Sequence, residues 1–70
     1  MSRLHVSERR QHELRAMDTL ELYLLILIDR MQYELTVGEV RFVHDIAAER
    51  MGAGDILADE LITTVDAYMQ

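Results

Sequence analysis

The chain has no cysteine, proline, tryptophan or lysine, and only three glycines in 70 residues. Without cysteine there is no disulfide to brace the fold, no thiolate nucleophile and no cysteine-based zinc site. Without proline, and with glycine confined to positions 38, 52 and 54, little interrupts a helix. The longest apolar run, Leu22 to Ile28, has seven residues, against roughly 20 for a membrane-spanning helix. The start, "MSRLHVSERRQHELR", is charged throughout and unlike a signal peptide. A cytoplasmic location is therefore expected. The basic residues are all arginine, a skew that fits GC-rich codon usage better than a chemical need.

What is present is an ordinary apolar fraction, 50%, in a chain of single-domain size. At this length one core is barely sufficient, and small domains without covalent staples often gain stability by oligomerising. The net charge of −6 is unevenly spread. Arg3, Arg9, Arg10 and Arg15 make the first sixteen residues basic, while every charged residue from Gly52 onward is acidic. A field of that sign repels nucleic acid and anionic membrane.

The pattern predicts an all-α fold of three helices in a single domain, residues 1–70. Residues 1–7 form an N-terminal arm, with Ser7 capping a long first helix over 8–34. Its apolar stripe is Met17, Leu20, Leu24, Leu27, Ile28, Met31 and Leu35. A strand at 22–28 is the rival reading, but the stripe runs past both ends of the run without a breaker. In "LTVGEV", Thr36 and Glu39 form a capping box, flanked by Leu35 and Val40 as a hydrophobic staple. The second helix, 37–51, turns Val40, Val43, Ile46, Ala47 and Met51 inward, with Phe42 beside them, and the tight turn implies an antiparallel hairpin. "GAGD" then ends it, Gly52 suiting the left-handed C-terminal position and Asp55 capping the next helix. That short third helix, 56–69, offers Leu57, Leu61, Val65 and Tyr68, with Ile62 alongside. One bent helix over 37–69 is the alternative.

Seven consecutive apolar residues cover the full circumference of a helix. One stripe serves the chain's own core, leaving Leu22, Leu25, Ile26 and Tyr33, flanked by Arg15, Asp18 and Asp29, as surplus. Leaving such aliphatics in water forgoes about 1.5–3 kcal/mol each, so these residues are the expected partner or dimer interface. Homodimer pairing around a two-fold axis is the leading expectation. Burial of both stripes within one monomer, or a purely heterologous partner, are the alternatives. The arm arginines Arg3, Arg9 and Arg10 form an electrostatic patch. Arg9 and Arg10 sit where positive charge opposes the helix dipole, so they require an acidic partner, and the acid-only third helix is the natural candidate.

No constellation points to catalysis, a metal or a cofactor. "IAAERMGAG" has roughly the small-residue spacing of a helix-turn-helix, but the helix after it carries acids and no base-reading side chain before Gln70. His5, Glu8 and His12 share one face if the helix begins early, a spacing that surface histidines often show by chance. No nucleophile–base pair, phosphate loop or HExxH is present. "DTLE" (18–21), "YELTVGE" (33–39) and "AAER" (47–50) occur in the order of short words that resembles the small helical Hha/YmoA nucleoid modulators. The first interval is about one helical turn longer here. That resemblance implies a transcription-linked binding role. The expected function is that of an acidic helical antagonist or adaptor, of the kind phages and mobile elements encode. It would occlude a surface on a larger regulatory protein. A small DNA-associated regulator and a purely structural oligomerisation module are the other readings.

Overall fold

A computed structural model describes residues 5–70 and is all-helical over that range. Four helices occur in order: α1 (Glu8–Ala16), α2 (Thr19–Gln32), α3 (Val37–Gly52) and α4 (Ile56–Met69). The expected long first helix is thus two, separated at Met17–Asp18. Met17 is extended (φ −75°, ψ 141°), and Asp18 starts α2 with a capping box of its own. The Asp18 carboxylate accepts from the Glu21 amide at 2.8 Å, and Glu21 accepts from the Asp18 amide at 3.0 Å. The four-residue signature read at Thr36–Glu39 therefore also sits in "DTLE".

The other ends lie close to expectation. Ser7 caps α1, Thr36 and Glu39 close a reciprocal box on α3, and the Asp55 side chain accepts from the Leu57 amide on α4. One glycine assignment changes. Gly52 is the last residue of α3, Ala53 is the cap, and the left-handed position belongs to Gly54 at φ 94°. A side chain there would strain the backbone, whereas the short loop to α4 needs that turn. The expected third helix, now α4, is as long as α2.

α4 packs on both α3 and α2, and α1 lies against α3. α4 runs parallel to α2, since Asp55 at its start bonds Thr19 and Tyr68 near its end bonds Asp29. The core is Leu14, Leu22, Ile26, Val40, Val43, Ile46, Ala47, Leu61 and Val65. Ala58 is also fully buried, whereas Met51, expected inside, is 45% exposed. Phe42, Ile62 and Tyr68 pack around the core edge. Among the described residues no helix is long and apolar enough to cross a membrane.

The largest correction concerns α2. Leu22 and Ile26, expected on the free face, are 0% exposed and belong to this chain's own core. Leu20, Leu24, Ile28 and Met31, expected inside, are among the large exposed hydrophobics. On α2 the two faces are largely exchanged, although Met17 and Leu35 do pack against the core and Tyr33 is exposed, as expected. The buried face also carries Thr19 and Asp29, polar residues that hydropathy places outside. Their burial works because each is hydrogen-bonded, which removes most of the desolvation penalty.

Candidate interaction surface

The exposed face of α2 is built by what lies opposite it. Thr19 donates to the Asp55 carboxylate at 2.6 Å and accepts from Arg50 Nη1 at 3.2 Å. Arg50 Nη2 also donates to the carbonyls of Arg15 (3.1 Å) and Met17 (2.7 Å), so one guanidinium ties the end of α1, the start of α2 and α3 together. At the other end the Asp29 carboxylate accepts the amides of Glu34 (2.6 Å) and Leu35 (2.7 Å) and the Tyr68 hydroxyl. These two clasps fix the rotation of α2 about its axis. With Thr19, Leu22, Ile26 and Asp29 inward, Leu20, Leu24, Ile28 and Met31 must point outward, on one face at helical spacing. Leu27 lies within the same stripe and is half-buried.

The expected interface residues are not brought together. Arg15 is exposed, pairs with Glu49 at 3.0 Å and stands 5.0 Å over the Phe42 ring. Leu25 is half-buried against the core, and Leu22 and Ile26 lie within it. Tyr33 is 78% exposed. It caps α2 in the left-handed conformation (φ 55°, ψ 42°). Among the described residues, neither Arg9 nor Arg10 pairs with an acid of α4. Arg10 donates from Nε to Glu39 on α3 at 2.6 Å, Arg9 is exposed, and Arg3 lies outside the described residues. The acid-only α4 instead meets His44 of α3, through Asp66 at 3.1 Å. His5 and His12 are both exposed, and no group of three potential metal ligands forms among the described residues.

One concavity, about 650 Å³, is an open groove lined by Leu35, Val37, Val40, Arg41, Tyr68 and Met69. Arg41 and the Tyr68 hydroxyl are its polar lining groups, and Tyr68 is already engaged by Asp29. That lining has no nucleophile beside a base, so it offers shape and no reactive pair.

Three groups carry perturbed acidities; Asp55 is lowered, first by the bond it accepts from the Thr19 hydroxyl, and Tyr68 and Glu39 shift in opposite directions. The Tyr68 hydroxyl is pushed up to about 12, first by its bond to the Asp29 carboxylate, then by burial and nearby negative charge. A raised value means the folded state favours the neutral phenol. Its contribution is complete below about pH 10 and is lost as pH rises from there through about 12. Glu39 shifts the other way. Burial would raise its value, but bonds from the Thr36 amide, Arg10 and the Thr36 hydroxyl outweigh that and hold it below 4.5. Its contribution is present above that value and lost as pH falls through the lowered one. Urea midpoints should therefore fall at both extremes. Tyr68→Phe should flatten the alkaline fall and leave the acid side unchanged; an unaltered alkaline slope would show that Tyr68 does not carry it.

No protein-family model, characterised protein or solved structure matches this chain.

Proposed function

We propose that this protein acts by contact, as a small acidic binding module that covers a surface of a larger regulatory protein. The supporting observation is the α2 stripe: Leu20, Leu24 and Ile28 are each about half exposed and Met31 is 84% exposed. They stand on a helix whose opposite face is anchored at both ends. Aliphatic side chains in a row on a rigid helix are what helix-in-groove recognition uses, with anchors spaced three and four residues apart. Burying them on a partner recovers stabilisation that a 70-residue core leaves unused. The chain's net charge of −6 favours a basic partner and speeds its approach. Acidic side chains on the covering protein then stand where phosphates would, and the partner's nucleic-acid surface is occluded. Antagonist or adaptor of a transcription regulator or defence complex, in the cytoplasm, is the role that fits; no catalysis or cofactor is involved.

The same stripe also supports self-association as a homodimer. A DNA-associated regulator is the weaker reading, because Arg10 is committed to Glu39, Arg15 to Glu49 and Arg50 to backbone carbonyls. Affinity capture from host cells with the wild-type chain and with Leu24→Glu tests the binding role. A protein retained by the first and lost by the folded second supports it. Equal recovery on both, or a complex that dissolves steeply with salt and contains DNA, would sink it.

A further inference from the structure

Resting on the reading of α2 as a contact surface, we infer that the stripe's occupant is a second copy of this chain, paired antiparallel, α2 against α2′. Three features carry this. The first is spacing. Leu20, Leu24, Leu27 and Met31 are separated by four, three and four residues, an order identical in both directions. A two-fold axis midway between Leu24 and Leu27 sets Leu20 level with Met31′ and Leu24 level with Leu27′, as an isologous contact requires. The second is charge. No charged residue lies within the stripe, so two acidic chains meet there without opposing carboxylates. Glu21 and Arg30 lie nine residues apart, on opposite sides of the stripe, so the antiparallel pair sets neither directly against its own counterpart. Both are exposed, and none of the ion pairs among the described residues includes either. Antiparallel helices also oppose their dipoles. The third is area. Leu20, Leu24 and Ile28 at about half exposure, with Met31 higher, present on the order of 500 Å² of apolar surface per copy, the size of patch that is often functional on a small protein. With flanking side chains a pair covers roughly 1,200 Å² in total, the lower bound for a stable specific interface.

This pairing makes self-association and partner capture compete for one face. The chain's concentration then sets how much of that face is free. A dimer this close to the lower bound of interface size dissociates readily enough for the competition to matter.

Sedimentation equilibrium and cysteine cross-linking test it, the latter cleanly because the chain has no cysteine of its own. Between about 1 and 300 µM, a range that brackets micromolar dissociation constants, the apparent mass should rise from 8.2 kDa toward twice that value. Leu24→Glu should keep the helical signal and weaken association by about tenfold or more, as loss of a central contact does. Register is read by mixing two single-cysteine chains, Leu20→Cys and Met31→Cys. The mixture should yield the mixed disulfide, while Leu20→Cys alone should yield none, because its two copies would stand about 16 Å apart along the helix. A wild-type chain monomeric throughout overturns the proposal, as does efficient cross-linking of Leu20→Cys to itself. A monomer that still captures a protein in a Leu24-dependent way overturns only the pairing and leaves the contact role standing.

Discussion

Ile26→Glu is expected to abolish the cooperative thermal transition, while Leu24→Glu, two residues earlier, leaves it in place. The two side chains are both aliphatic, lie on one helix and are separated by less than a turn. They differ in that Ile26 is 0% exposed and Leu24 is 47% exposed. Replacing Ile26 removes about 1.5–3 kcal/mol of apolar burial. It also forces a carboxylate into a site lined by apolar side chains, at a further several kcal/mol. A 70-residue chain without disulfide or metal has only a few kcal/mol in reserve. At position 24 the new carboxylate reaches water, and the expected change is within about 0.5 kcal/mol. Circular dichroism melts of the two variants decide the matter. A folded Ile26→Glu with a wild-type midpoint would mean that the orientation of α2 is wrong, and the proposed contact face with it.

Asp29→Ala should be the most damaging single loss of a polar group, at about 2–6 kcal/mol, since two backbone amides lose their acceptor together. Asp29 is 3% exposed, and its carboxylate serves two backbone amides and a phenol. Alanine leaves the Glu34 and Leu35 amides without acceptors at the chain reversal, each an unpaired donor costing about 1–3 kcal/mol. Asn should cost roughly half as much, since its single carbonyl retains part of the acceptance but none of the charge assistance. Asp59→Asn, on an exposed face, provides the comparison and should cost almost nothing. Urea titrations give these differences directly. A cycle combining Asp29→Asn with Tyr68→Phe should show coupling, and strict additivity would mean that the phenol contact is idle.

The sequence carried the all-helical class, three of the four helix starts and the α3 core, because caps and regular apolar spacing are local signals. It misplaced α2 for a definable reason. The stripe chosen as core was favoured for its length, reaching from Met17 to Leu35. Met17 is the extended cap of α1, and Leu35 comes after a left-handed residue, so neither belongs to α2 or shares its wheel. Within 19–32 alone the run is apolar on every side and periodicity cannot choose a face. What chooses is the pair of polar residues on the Leu22–Ile26 side, and their partners Asp55, Arg50 and Tyr68 lie far away in sequence. Hydropathy points Thr19 and Asp29 toward water, so the correct face was the one local rules disfavour. The break itself was readable, since Asp18 and Glu21 have the same spacing as Thr36 and Glu39. The arginines showed the same pattern: that they need acidic partners could be read locally, whereas Glu39 and Glu49 could be found only by folding α1 onto α3.

Tyr33 holds a conformation that costs a non-glycine residue about 1–2 kcal/mol, and the Asp29 clasp over-determines it by bonding the next two amides along the chain. The consequence is entropic. A backbone pinned on both sides of an exposed aromatic leaves only the two torsions of the ring free. Ordering that ring against another surface therefore demands little further loss of conformational freedom, the condition under which rigid aromatic anchors bind most effectively. Glycine at position 33 would relax the turn and remove the ring in one step. The result would be a chain more stable than the natural one, with less exposed aromatic surface.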